Sequence, residues 1–144
     1  MATAVLTHHS LEGALGPVLV DVRATSRTLS QPAVLIVHGF KGFKDFGFLA
    51  AMAERLARGG FTAVTLSVSG SGVDADGEFT LLEQFARNTY TREMHDIELV
   101  ISQIRAGGLV FARPTSLGVI GHSRGGGVAL CVARETPAFD AIVT

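Results

Sequence analysis

The chain has 144 residues, 47% of them hydrophobic and 17% charged, a balance that suits one globular domain, residues 1–144, with a real core and excludes a disordered chain. Twelve Lys and Arg stand against thirteen Asp and Glu, so the net charge of -1 supplies no field for nucleic acid or an anionic membrane. A lone cysteine, Cys131, excludes an internal disulfide, and the first residues lack the basic start and apolar run of a leader. No apolar stretch reaches the roughly 18–20 residues that span a bilayer. A soluble, cytoplasmic protein is therefore expected.

In chain order, Val18, Val20 and Val22 alternate with other residues and predict a half-buried strand over Pro17 to Arg23. A polar loop from Thr25 to Pro32 leads into Ala33 to Val37, a short β-branched run that reads as a strand buried on both faces. Leu49, Met52, Ala53 and Leu56 fall at helical spacing and predict a helix over Phe48 to Arg58, stopped by Gly59-Gly60. Phe61 to Val68 reads as a further strand, and the Gly, Ser and Asp of Ser69 to Gly77 as a loop.

Tyr90, Met94, Ile97, Ile101 and Ile104 mark a long helix between Asn88 and Ala106, closed by Gly107-Gly108. Leu117 to Ile120 is a short strand, Gly121 to Gly127 a glycine-rich turn, Val128 to Arg134 a helix, and Phe139 to Thr144 one more strand. Strands alternating with helices imply an α/β fold with a mostly parallel sheet and helices on both faces, because parallel neighbours need crossover connections. Cys131, inside an apolar helix, is expected to be a small core residue.

The sharpest chemical signal is Gly121-His122-Ser123-Arg124-Gly125, set between a strand and a helix. A serine hydroxyl becomes a useful nucleophile when a sharp turn presents it bare to a base and a substrate carbonyl, and such a turn needs small residues two positions either side. Gly121 and Gly125 meet that need. The following helix aims its unpaired N–H groups and positive end at the same place, which makes the Arg124 N–H the first donor to a developing oxyanion. The bland alternative is a glycine-rich turn in which Ser123 caps the helix.

A second motif follows the strand Ala33 to Val37: His38-Gly39-Phe40-Lys41-Gly42-Phe43-Lys44-Asp45-Phe46. A loop at the carboxyl end of a parallel strand is where such sheets bind ligands. The two motifs, in this order, resemble the α/β-hydrolases of the dienelactone-hydrolase and serine-aminopeptidase-like groups, over Ala33 to the last residue. The resemblance implies that the Phe40 N–H is the second oxyanion donor, with Gly39 letting the backbone approach the substrate. It implies a structural His38 that orients the loop, while His122, held beside the nucleophile by the same turn, is expected to flank the site without acting as its base.

Lys41, Lys44 and Asp45 are expected to be solvated loop charges in preference to a loop-bracing ion pair. The side chain of Arg124 is either ordinary surface or part of the site. His8, His9 and His95 lack metal-ligand spacing, so no metal is expected. Gly70-x-Gly72 lacks the third glycine of a dinucleotide fingerprint, and no G-x-x-x-x-G-K-[ST] string occurs, so no cofactor is expected.

In the resembled fold the triad runs Ser, then Asp or Glu, then His. After Ser123 come Glu135 and Asp140, neither suitably placed, and no histidine. The expectation is a serine hydrolase acting on a small-molecule acyl substrate, whose acid and base lie beyond Thr144, leaving this stretch inactive alone. The alternatives are a non-catalytic binding protein of the same fold, or half of a split enzyme with a complementary C-terminal half as partner.

Overall fold

A computed structural model describes residues 2–144. A hairpin of β1 (Val5–Gly13) and β2 (Gly16–Ala24) opens the chain, followed by β3 (Ala33–Val37), α1 (Leu49–Arg58) and β4 (Thr62–Ser67). The short α2 (Leu82–Arg87), the long α3 (Tyr90–Ala106), β5 (Leu117–Gly121), α4 (Arg124–Glu135) and β6 (Ala141–Val143) complete it. The strands form one sheet in the order β1-β2-β4-β3-β5-β6. From β4 to β6 every neighbour is parallel, while β2 joins β4 antiparallel and β1 returns antiparallel on β2. The α/β fold with a mostly parallel sheet follows the alternation in the sequence.

The central strands of the sheet are buried on both faces, which is why they are nearly continuous apolar runs. On one face Val18, Val20, Val22, Leu35, Val37, Val64, Leu66 and Val119 pack against Ile97, Val100 and Ile104 of α3 and Val128, Ala129 and Val132 of α4. On the other, Ile36 and Ala63 pack against Leu49 and Ala53 of α1. The described residues include no helix long and apolar enough to cross a membrane.

Five local features differ from the expectations or add to them. β1 is an additional edge strand; its buried-side positions are shared among Val5, Thr7, His9 and Leu11, so no apolar alternation marks it. α2 lies in a stretch that carried no expectation. The glycine-rich turn ends at Ser123, and Gly125, Gly126 and Gly127 are already helical because α4 starts at Arg124. Cys131 is exposed, since Val128, Ala129 and Val132 carry the inward face of α4. The final strand is the shorter β6, whose three residues are exposed at the edge of the sheet.

Candidate active site

Parallel pairing puts the carboxyl ends of β3, β4 and β5 at one end of the sheet, with Val37 opposite both Leu66 and Gly121. The chain leaving β5 turns at once: His122 N–H donates to the Val37 carbonyl at 2.9 Å, and Gly125 N–H donates to the His122 carbonyl at 2.9 Å. Ser123 sits on this turn at φ 55°, ψ -121°, a backbone conformation that costs a non-glycine residue about 1–3 kcal/mol. The conformation leaves its side chain exposed at the N-terminus of α4.

Glycine is required around it by space. A Cβ on Gly121 would lie 2.4 Å from Cα of Gly126, and one on Gly125 would lie 2.4 Å from the His38 carbonyl oxygen and 2.5 Å from that of Val37. Gly39 approaches closely from the other loop, where an added Cβ would stand 3.1 Å from Cβ of Ser123. The structure therefore brings Gly39, Gly121, His122, Ser123 and Gly125 together.

The loop after β3 is held by His38. Its Nδ1–H donates to the Gly39 carbonyl at 2.8 Å, and its Nε2 accepts the Val68 N–H at 3.2 Å. Burial lowers its pKa from 6.5 to about 4, against a smaller opposing effect of the Gly39 carbonyl, so the ring is neutral near pH 7. Gly42 N–H closes a tight turn on the Gly39 carbonyl at 3.0 Å, and Lys41 adopts φ 58° inside it. Among the described residues, neither the Phe40 N–H nor the Arg124 N–H donates a hydrogen bond. One unengaged backbone donor thus directly follows the exposed Ser123, and the other directly follows Gly39, which closely approaches it.

Arg124 turns its side chain away from this pair. Its Nε donates to Glu93 Oε1 of α3 at 2.9 Å, and its guanidinium lies 4.1 Å from the ring centre of Tyr90. Asn88 Nδ2 donates to the same Glu93 oxygen at 2.6 Å. His122 packs edge-on against Phe48, with ring centres 5.3 Å apart, and its Nδ1 is buried without a partner among the described residues.

The family profile of the dienelactone hydrolases matches residues 20–144. The chain belongs to the dienelactone hydrolase family. Among solved structures it is similar to a dienelactone hydrolase from Anabaena variabilis, at 17% identity and a TM-score of 0.76, covering 97% of this chain and 62% of that one. It is also similar to XC6422 from Xanthomonas campestris, described as an α/β serine hydrolase without lid (22% identity, TM-score 0.70, 92% of this chain and 57% of that one). A cold-adapted esterase from an Arctic intertidal metagenomic library is a third, with 19% identity, a TM-score of 0.73, and coverage of 99% and 60%. These likenesses show the α/β-hydrolase fold. The chain spans less than two thirds of the length of each. No curated protein matches it significantly.

Three buried carboxylates of this dienelactone hydrolase family chain carried no expectation from the sequence. Asp21 of β2 accepts from Lys44 Nζ at 2.9 Å and from His8 Nδ1 at 2.6 Å, and Lys44 also pairs with Asp45. This corrects the expectation of solvated charges for Lys44 and Asp45: the pair braces the loop that carries Phe40, and Lys44 N–H adds a bond to Ser67 Oγ at 2.9 Å. Asp96 and Glu93 are buried on α3. The signal for both was in the spacing, since Glu93 stands four residues before Ile97, and Asp96 four before Val100, on the inward stripe of the helix.

Asp140 is structural, its carboxylate accepting the Leu117 N–H at 2.8 Å, and Glu135 lies at the end of α4 beside Arg134. Among the described residues no group of three or more His, Cys, Asp or Glu is placed to hold a metal ion.

Proposed function

We propose that this chain is the nucleophile-bearing part of a serine hydrolase that cleaves an ester, amide or related acyl bond of a small molecule. Ser123 Oγ attacks the acyl carbon as its proton passes to a base, and the carbonyl electron pair moves onto oxygen. The N–H groups of Phe40 and Arg124 receive that negative charge, stabilising it more than they stabilise the neutral carbonyl. Collapse expels the leaving group with a proton and leaves an acyl ester on Ser123, which water then hydrolyses by the same steps.

The observation that carries this reading is the strained, exposed Ser123 at the N-terminus of α4, closely approached by Gly39, with the N–H groups of the next residue in each loop, Arg124 and Phe40, bonding nothing among the described residues. A helix-capping serine would bond its own helix, and Ser123 makes no side-chain cap bond. The match to a hydrolase family supports the reaction class.

The base is assigned elsewhere. Both nitrogens of His38 are engaged, and the carboxylates after Ser123 are bound up in structure or at a helix end. A complementary segment or partner chain that extends the sheet beside β6 would supply the acid and the histidine, and the described stretch alone would be inactive. The test is labelling of the protein purified from its source with a fluorophosphonate. Mass spectrometry is expected to find the adduct on the peptide holding Ser123 and to lose it in Ser123→Ala. A native protein that takes no label overturns the reading in favour of a non-catalytic binding protein.

A further inference from the structure

Beside the oxyanion donors lies a set of rings that the proposed chemistry leaves unused. Phe40 is 61% exposed and Phe79 44% exposed. The ring of Phe85, from α2, lies between them, 5.6 Å from Phe40 and 5.0 Å from Phe79, centre to centre. Large apolar side chains grouped in this way on a protein surface mark a contact site more often than they occur idly.

The group is held by a built framework. Gly72, at φ 82°, passes directly beneath it, and an added Cβ would stand 2.3 Å from Cε2 of Phe79 and 3.0 Å from Cβ of Phe85. Val73 bridges Phe79 antiparallel, and Leu81 N–H donates to the Gly72 carbonyl at 3.0 Å. The Asp74 carboxylate takes the N–H groups of Asp76 and Glu78, at 2.9 and 3.0 Å, and the Thr80 hydroxyl, fixing the loop that presents Phe79.

We infer that Phe40, Phe79 and Phe85 form an aromatic subsite that takes a flat apolar group of the substrate next to its scissile carbonyl. The inference rests on the hydrolase reading and names its substrate class. Phe40 ties the two together, because the residue whose N–H would hold the oxyanion also carries the first ring of the group. A substrate placed with its carbonyl oxygen on that N–H has its neighbouring substituent within reach of the ring. Of the cations around the site, Arg124 is held by Glu93 and covered by Tyr90, and Lys41 Nζ stands 6.0 Å from the centre of the Phe40 ring, where it adds a cation–π contact to the group. Ring against ring, with the offset and edge-on contacts that Phe79 and Phe85 already display, suits a phenyl or similar planar group.

The test compares methyl phenylacetate with methyl acetate as substrates of the full-length protein. The native protein is expected to show a kcat/KM ratio in favour of phenylacetate of roughly tenfold or more, the scale of one good aromatic contact plus its buried area. Phe79→Ala is expected to lower that ratio roughly tenfold. Phe79→Leu, which keeps apolar bulk on the bridge and guards against a folding defect, is expected to lower it by a smaller factor in the same direction. Equal kcat/KM for both esters, or a ratio unmoved in both variants, overturns the aromatic subsite while leaving the hydrolase reading intact. No turnover of either ester together with no fluorophosphonate label on the native protein overturns both.

Discussion

His38 does its work as a neutral ring, with one nitrogen donating to Gly39 and the other accepting from Val68. Protonation would place a second N–H opposite the Val68 N–H and a charge in a buried position, which is why its pKa falls to about 4. The consequence for stability has a definite sign. Above pH about 6.5 both folded and unfolded chains hold a neutral ring and His38 contributes no pH dependence. Between about 6.5 and 4 the unfolded chain binds a proton that the folded chain refuses, so stability falls as pH falls, by about 1.4 kcal/mol per unit and about 3 kcal/mol in all. Urea unfolding followed by circular dichroism at several pH values is expected to show this loss. His38→Gln, which keeps a donor and an acceptor but does not titrate, is expected to flatten the profile across that window. Identical profiles for the two proteins would show that His38 is not the group responsible. At this scale the sequence told which residues cluster, through the two motifs, but not how Arg124 points. Its partner Glu93 comes from a helix far back in the chain, and nothing local encodes that pairing.

The elements that the sequence made legible are those whose pattern comes from burial. β3, β4 and β5 are packed on both faces and carry unbroken apolar runs, and α3 carries a clear inward stripe. β1 was hidden because an edge strand with one half-buried face can be built from Thr, His and Ser as well as from Val and Leu. The start of α4 was hidden by its glycines, which weaken a helix and so read as a turn. Their actual role is spacing, and it separates them. Gly125→Ala would drive a methyl group into the backbone of Val37 and His38, which cannot yield as a side chain can. It is expected to destabilise the fold by about 3 kcal/mol or more, beyond the usual cost of overpacking. Gly127 meets nothing within 4 Å, so Gly127→Ala is expected to stabilise by about 0.5–1 kcal/mol through helix propensity alone. Urea midpoints that shift in opposite directions for two neighbouring Gly→Ala changes would bear this out. A Gly125→Ala protein as stable as the native one would refute close strand-to-helix packing at the turn after β5.

At the scale of the whole molecule, one buried carboxylate links parts that the sequence keeps far apart. Asp96 Oδ1 accepts the Ala14 N–H of the β1–β2 turn at 2.8 Å, while Oδ2 accepts the Ser69 N–H at 2.7 Å and the Ser69 hydroxyl at 2.6 Å. Ser69 Oγ in turn accepts the Leu15 N–H at 3.0 Å. The hairpin, the loop after β4 and helix α3 are thereby locked to one another, and the loop so fixed leads on to the segment that carries Phe79 and Phe85. Removing the carboxylate leaves three donors without an acceptor, two of them in the buried Ser69, and an unmet buried donor costs far more than an average hydrogen bond contributes. Asp96→Ala is therefore expected to lower the unfolding free energy by about 3 kcal/mol or more. Asp96→Asn, which keeps one accepting oxygen, is expected to lose less. Native-state hydrogen exchange supplies the decisive readout, because a shared lock predicts that the amides of Ala14, Leu15 and Ser69 lose protection together in Asp96→Ala. Loss at Ser69 with Ala14 and Leu15 unchanged would mean that the hairpin is held by its own strand pairing and that Asp96 braces only the loop after β4.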